Sequence, residues 1–287
     1  MKSARIHQHG DPSVIRIDDI DRPRPGPGEV LVEVAATSFN PTEIALRSGA
    51  LRALFEIELP CTLGWDLAGK IAGAPVIGWV ENGAAAEYAI APANRLVPAP
   101  GNIPLTTAAA IPLAGLTAWQ TVLPNVVAGQ RVLINGAGGG IGGFAVQLAR
   151  HAGAEVIATA SPRSAATVEK NGADQIIDYT ATAVPDALKE PVDVMINLVG
   201  QTPPWQPPVK PGGTIVSAAA PVPAPPGVTS SHVVVQYDPA QLTELVALVE
   251  AGIVTVDITA TYPLTETANV HRASEAGRIN GKVLIVP

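Results

Sequence analysis

Residues 131–163, RVLINGAGGGIGGFAVQLARHAGAEVIATASPR, constrain this chain more than any other stretch. Arg131–Asn135 is a short apolar run that stops at Gly136, the pattern of a buried parallel strand. Gly136, Gly138, Gly139, Gly140, Gly142 and Gly143 crowd the turn that follows. Without Cβ atoms a backbone turns tightly and comes close to a pyrophosphate. Ile141, Ala145, Leu148 and Ala149 then recur at helical spacing, and the first N–H groups of such a helix hold phosphate oxygens. Strand, glycine loop, helix and second strand make a nucleotide-binding unit, with Gly139, Gly140 and Ile141 at the phosphates. The fingerprint is imperfect: the G-x-G-x-x-G frame reads Ala137, Gly139, Gly142, and the longer G-x-x-G-x-x-G frame reads Gly136, Gly139, Gly142. A glycine motif alone is weak, and the competing reading is a flexible loop; the flanking strand and helix favour the nucleotide site.

The end of the second strand selects the nucleotide. An NAD site places Asp or Glu about 20 residues beyond the glycines, on the ribose 2′-hydroxyl. Here that neighbourhood holds Ser161, Pro162 and Arg163, with no carboxylate to repel a 2′-phosphate. Ser161 can donate a hydrogen bond and Arg163 a charge-assisted one, so the expected cofactor is NADPH. A second reading makes Ser161 the N-cap and Pro162 the first residue of a surface helix; both can hold together.

At 287 residues the chain is long enough for one large domain or two moderate ones. It is 47% hydrophobic and 15% charged, enough for a sizeable core, and its formal net charge of −7 argues against a nucleic-acid partner. The single cysteine, Cys61, rules out an intrachain disulfide and a multi-cysteine zinc site, and reads as a small buried hydrophobe. The polar start, MKSARIHQHGDPS, has no apolar signal region, and no run of about 20 apolar residues is free of charge and proline. The expected compartment is the cytoplasm.

Residues 1–110 look β-rich: Glu29–Ala36 alternates like a half-buried strand, and Ala84–Ile90 and Arg95–Val97 read as short strands. Thr106–Leu123 reads as helical, kinked or divided at Pro112. Strands are expected at 131–135, 154–159, 174–178, 192–198 and 213–218, with helices at Ala166–Asn171 and Ala181–Lys189, the alternation of a doubly wound parallel sheet. Pro203–Pro211 and Pro221–Pro226 read as loops, Val233–Val235 as an edge strand, Ala240–Ala251 and Thr265–Ala276 as helices, and Lys282–Val286 as a closing strand.

With these elements in place the chain resembles the medium-chain dehydrogenase/reductase superfamily. It is most similar to its zinc-independent quinone oxidoreductases and to the enoyl reductase domains of polyketide synthases. The resemblance covers nearly the whole chain. It rests on Asn40-Pro41, Gly64-Trp65-Asp66, Ala86-Glu87-Tyr88, Ala108–Gln120, the glycine loop, Val192–Gly200, Lys210–Gly213, His271-Arg272 and Gly281–Pro287, specific in their order and spacing. Asn197, where quinone reductases more often have Asp, and GAEVIATASP at 153–162 lean toward the enoyl reductases.

The resemblance implies an α/β fold with a GroES-like β-barrel catalytic domain from residues 1–110 and 246–287. A Rossmann doubly wound parallel-sheet domain at 111–245 stands between them, with the active site in the cleft and a homodimer as the common assembly. It implies that Thr117 touches the nicotinamide, that Leu198, Val199, Ala218 and Ala219 line it, and that Tyr179 lies near the adenosine phosphate. Asn40, Phe39 and Trp65 are the implied substrate contacts, with Asn40 beside the substrate carbonyl. Plainer readings exist: Asn40 before Pro41 as a turn residue, Thr117 bonding its own helix, Tyr179 as a strand-end core residue, Lys282 as a salt-bridge partner. Zinc-dependent relatives carry Cys, His and Cys at positions that match Asn40, Trp65 and Leu113, which make no metal site, so no metal is expected.

Three departures stand out. The tyrosine that related reductases often carry just after an R-x-G segment is missing from Arg47–Leu51, RSGAL, which leaves water or Glu43 as proton source. Glu43 stands where relatives usually have Asp, a position that more often fixes the barrel. Residues 70–85 are shorter than usual, reshaping the rim around Trp79, and Arg278 is displaced from the position just before Gly281. The implied activity is hydride transfer to an activated C=C bond or a quinone; the alternatives are an NADPH-binding sensor or structural protein, and a cyclase or isomerase on the same fold.

Overall fold

The structure, a computed structural model, describes residues 1–52 and 57–287. The chain divides into two units, Met1–Leu113 with Tyr237–Glu250 and Ile258–Pro287, and Ala114–Gln236 with Ala251–Asp257. The expected boundaries at 111 and 245 shift, because the helix around Leu242–Val249 packs with the first unit. There Asn102 Nδ2 donates to the Val249 carbonyl at 3.0 Å.

In the first unit β1 (Lys2–Ile6), β2 (Ile15–Asp19), β3 (Glu29–Ser38), α1 (Thr42–Ser48), β4 (Cys61–Thr62), β5 (Asp66–Ile71), β6 (Ala74–Trp79), β7 (Tyr88–Pro92) and β8 (Leu96–Pro98) follow in order. Then come α2 (Leu105–Ala108) and α3 (Pro112–Val122), the latter running on into the second unit. Pro112 therefore divides the expected helix instead of kinking it. In the second unit β9 (Arg131–Asn135), α4 (Gly142–His151), β10 (Glu155–Ala160), α5 (Ala165–Lys170), β11 (Gln175–Asp178), α6 (Val184–Ala187), β12 (Val192–Asn197), β13 (Val209–Ser217) and β14 (Thr229–His232) alternate. The first unit resumes with α7 (Pro239–Glu250), β15 (Ile258–Pro263), α8 (Thr267–Glu275) and β16 (Lys282–Val286).

A seven-stranded sheet carries the first unit in the order β15-β16-β3-β5-β6-β8, with β7 on β3, beside a small sheet β2-β1-β4. Alternation sets its faces: along β3, Val32, Val34 and Ala36 are buried, and Val32 and Val34 meet Leu67 and Ala89 in one core. A second core gathers Ile6, Phe39, Leu46, Leu63, Val270 and Ile285.

The second unit holds a six-stranded sheet, parallel throughout, in the order β11-β10-β9-β12-β13-β14. Counted from β9, this is 3-2-1-4-5-6, the doubly wound dinucleotide-binding order, and its direction of winding reverses between β9 and β12. Leu133, Ile157, Ile177, Met195 and Ile215 form the core on one face. Gly142 opens α4 where a Cβ would lie 2.4 Å from the Ala137 carbonyl oxygen, so only glycine lets the helix pack this close to the end of β9.

Several local expectations are corrected. The edge strand is Thr229–His232, not Val233–Val235: its polar residues need only ladder bonds to β13, and Val234 is left 67% exposed. Of Ala84–Ile90 only Tyr88 onward is strand, because Ala84 and Ala85 give their N–H groups to the Gly64 and Leu63 carbonyls. Ser161 does not cap a helix; α5 starts at Ala165 after Ser164, and the Ser161 carbonyl closes the intervening turn by accepting the Ser164 N–H at 2.9 Å. The expected helix at 181–189 shrinks to Val184–Ala187, with Pro185 in its first turn. Cys61 is buried, as expected, and burial pushes its thiol up to about 11.

Candidate active site

The rim of the parallel sheet is tied together by side chains, one from each of four neighbouring strands. Thr159 Oγ1 donates to Asn135 Oδ1 at 3.0 Å, Asn135 Nδ2 to Asn197 Oδ1 at 2.9 Å, and Asn197 Nδ2 to Ser217 Oγ at 3.0 Å. Thr159 Oγ1 also accepts the Gly136 N–H at 2.9 Å, which ties the first glycine of the loop to β10. These residues are buried, so each polar group needs a partner inside the protein, and each finds one on the next strand. The result is a rigid carboxyl edge on either side of the winding reversal, where ligands of such sheets bind.

The expected cofactor residues lie along that edge. Gly139, Gly140 and Ile141 stand in the loop between β9 and α4, Ser161 and Arg163 just past β10, and Tyr179 just past β11. Leu198 and Val199 follow β12, and Ala218 and Ala219 follow β13. Five consecutive strands thus deliver all ten residues to the same end of one sheet. Ser161 is partly buried and Tyr179 is 54% exposed, a surface residue and not a strand-end core residue. Thr117 is buried in α3, and its carbonyl accepts the Thr121 hydroxyl at 2.8 Å.

In the first unit Asn40 belongs to a buried polar knot. Its Nδ2 gives one bond to the Asp66 carboxylate at 2.8 Å and another to the Ser38 carbonyl at 3.2 Å. Its Oδ1 accepts from Lys282 Nζ at 3.0 Å. The network thereby fixes the amide's orientation, and both amide hydrogens are spent. Asp66, fully buried, also accepts from the Ser38 hydroxyl, from the Leu113 N–H at 2.8 Å and from Lys282 at 3.5 Å. Burial drives the Lys282 ammonium below its ordinary range, and the Asp66 carboxylate opposes that shift. This confirms Lys282 as a salt-bridge partner.

Glu43 sits beside the knot. Its carboxyl accepts the Asn40 N–H at 3.0 Å and the Gly64 N–H at 3.1 Å, so it joins α1 to the turn before β5. Burial pushes it up to about 8, and the nearby Asp66 charge adds to that. Phe39 is not presented to a ligand: it is 4% exposed, with its ring edge-on to His271 at 5.0 Å. Trp65, by contrast, is partly exposed and stacks with Trp79. Asp66 received no role from the sequence, although a carboxylate opening one apolar strand and a lysine opening another, KVLIV, is a legible sign of a buried pair.

The three positions matching a catalytic metal site do not fit a metal. Asn40 is committed to Asp66 and Lys282, Trp65 and Leu113 offer no ligand atom, and an ammonium already occupies the neighbourhood. Among the described residues no cluster of His, Cys, Asp and Glu could hold a metal ion, and no helix is long and apolar enough to cross a membrane.

Two outcomes follow from the knot. Asp66→Asn leaves Lys282 buried without its counter-ion and is expected to cost about 3–5 kcal/mol by denaturant unfolding, with Asp66→Asn/Lys282→Met recovering part of the loss. Glu43 ionises near 4.5 when unfolded but near 8 when folded, so unfolding releases a proton between those values and stability falls as pH rises through that window. Glu43→Gln should flatten this segment of the Tm profile; an unchanged slope would remove Glu43 as its source.

Comparison with known proteins agrees with this geometry. The family described as "Alcohol dehydrogenase GroES-like domain" matches residues 26–76, and that described as "Zinc-binding dehydrogenase" matches residues 171–285. The chain is 28% identical to a chloroplast envelope quinone oxidoreductase homolog of Arabidopsis thaliana, over 92% of each chain. It is 29% identical to the NADPH-dependent alkenal/one oxidoreductase of the same plant, over 100% of this chain and 80% of that one. Among solved structures, the quinone oxidoreductase from Coxiella burnetii superposes with a TM-score of 0.88 at 28% identity, covering 100% of this chain and 99% of the other. With a GroES-like region, a sheet wound 3-2-1-4-5-6 and these relatives, the chain belongs to the medium-chain dehydrogenase/reductase superfamily of oxidoreductases, among its quinone oxidoreductase- and enoyl reductase-like members.

Proposed function

We propose that this protein is an NADPH-dependent, zinc-independent reductase of an activated C=C bond or a quinone. The observation that carries the reading is the delivery of all ten expected cofactor residues to the carboxyl edge of one parallel sheet, with Ser161 and Arg163 where an NAD site needs an acid. NADPH, when bound, supplies a hydride, and a proton from water completes the two-electron reduction.

The glycine loop gives the pyrophosphate backbone N–H groups and room for close approach. Ser161 and Arg163 hold the 2′-phosphate, and Leu198, Val199, Ala218 and Ala219 give the nicotinamide a dry surface. Thr117 remains a proposed nicotinamide contact and Tyr179 an adenosine contact. In the first unit Asn40 acts as a positioning residue, since neither amide hydrogen is left for a substrate oxygen. Glu43 stays protonated near neutral pH, but both its oxygens are engaged by backbone N–H groups inside the protein, so it holds α1 in place and does not serve as the acid. Zinc has no donor set at the matching positions, and the charge that builds on a substrate oxygen must be met by hydrogen-bond donors.

Two features favour a second reading, a cofactor-binding protein without turnover: the expected tyrosine is absent and Asn40 is fully committed. Nicotinamide absorbance followed with 1,4-benzoquinone, 9,10-phenanthrenequinone, 2-hexenal and a crotonyl thioester separates the two. NADPH oxidation unaffected by EDTA supports the reductase; tight NADPH binding with no oxidation across the panel selects the second reading. Ser161→Asp sets a carboxylate against the 2′-phosphate and is expected to weaken NADPH about tenfold or more while sparing NADH, as read from the two KM values. An equal effect on both cofactors would take Ser161 out of the phosphate site.

A further inference from the structure

The first unit carries a row of three aromatic rings that neither its fold nor its buried knot explains. Trp65 and Trp79 stack with centroids 6.5 Å apart and planes at 22°, and Tyr237 meets Trp79 edge-on at 6.3 Å. The Arg95 guanidinium lies 6.0 Å from the Tyr237 ring and closes the row. The backbone makes this placement firm. Gly64, at φ +90°, turns the chain where a Cβ would lie 2.4 Å from the Ala85 nitrogen, so only glycine fits the turn before Trp65. Asp66 pairs with Trp79 across β5 and β6, and the Val80 N–H donates to the Trp65 carbonyl at 2.8 Å.

Each ring carries a donor, Trp65 Nε1, Trp79 Nε1 and Tyr237 Oη, and all three are buried with no hydrogen-bond partner. Unpaired buried donors are costly, and structures pair nearly all of theirs. Three in one row, on side chains that are only partly buried as a whole, mark a face shaped for a polar aromatic guest. Burial pushes the Tyr237 phenol up to about 12, so it keeps its proton at every working pH.

We propose that Trp65, Trp79 and Tyr237 form the specificity-determining face of the substrate site, and that it takes a planar conjugated carbonyl compound bearing an aromatic ring system, an aryl enone or fused-ring quinone. The indole faces match a flat, electron-poor guest, and the row's donors serve its carbonyl oxygen. An aliphatic enal or acyl thioester offers no such ring. Tyr237 thereby supplies, from just before α7, the phenol missing after Arg47–Leu51. The proposal rests on the reductase reading for what becomes of the guest, but not for its binding.

The test therefore reads binding apart from turnover. In the full chain with Trp119→Phe and Trp205→Phe, the remaining tryptophan emission comes from Trp65 and Trp79. Titration with 9,10-phenanthrenequinone and with 4-phenyl-3-buten-2-one, without NADPH and against free N-acetyltryptophanamide, is expected to give saturable quenching. Trp79→Leu should weaken binding about tenfold or more and Tyr237→Phe several-fold, with the Tm of Tyr237→Phe close to the parent's. In turnover, both variants should raise KM several-fold more for the aromatic compounds than for 2-hexenal, which shares the carbonyl but offers no ring. Quenching no stronger than for the free amide overturns the proposal, as does quenching indifferent to both variants or an equal loss for 2-hexenal. If binding follows the variants but no compound oxidises NADPH, the face stands and the reductase reading falls.

Discussion

A carboxylate and an ammonium buried together, Asp66 and Lys282, set the geometry on which the first unit depends. Asp66 opens β5, Lys282 opens β16, and of the residues between them Ser38 ends β3 and Asn40 lies just beyond it. Three strands are thus held at one point by groups that cannot be left alone in a dry interior. A pair of this kind contributes little net stability compared with well-packed apolar side chains. Its effect is on register: sliding any one of the strands by a residue would strand a charge. Glu43 extends the same constraint to α1 through the Asn40 and Gly64 N–H groups, and it does so largely as the neutral acid, which spares the site a second buried anion beside Asp66.

The second unit solves a similar problem without charge. Parallel strands buried on both faces read as apolar runs, and their polar residues collect at the carboxyl ends. Thr159, Asn135, Asn197 and Ser217 satisfy one another in a line across β10, β9, β12 and β13. Asn197, which departs from the more usual Asp, is suited to this line because its amide both accepts from Asn135 and donates to Ser217; a carboxylate could only accept.

The second unit was the more legible in the sequence because its signals are local. A run such as RVLIN followed by glycines states strand, turn and helix within a few residues, and every expected strand from 131 to 218 has its counterpart. Errors arose where polar chain takes on structure through the ladder alone, as in Thr229–His232, or where one proline shifts a helix start, as at Pro162. The first unit was harder to read. Strand β3 pairs with β5, β7 and β16, and β1 with β4, through contacts distant in sequence, and the seven-residue α1 is too short to show a period. The site followed the same division: the glycine loop and Ser161 could be picked out by counting, whereas Asp66 acquires meaning only when Lys282, some 200 residues away, folds onto it.

The two units also divide the polar inventory in complementary ways. In each, polar side chains are consumed by the fold: Asn40, the expected substrate contact, by Asp66 and Lys282, and Asn135 and Asn197 by their neighbours on the next strands. In the reading proposed above, recognition falls to backbone N–H in the glycine loop and to the ring-borne donors of Trp65, Trp79 and Tyr237, which have no partner within the protein. The first is held by Thr159 and the close approach at Gly142, the second by Trp79 at the end of β6 and by the Val80 N–H bond to the carbonyl of Trp65 just before β5. Rigid donors aimed at a site cost no reorganisation when a charge develops. A polar amide held in a buried network therefore serves this protein better as a strut than as a contact, and the absence of the expected tyrosine from the loop after α1 removes less from the site than the sequence alone suggests.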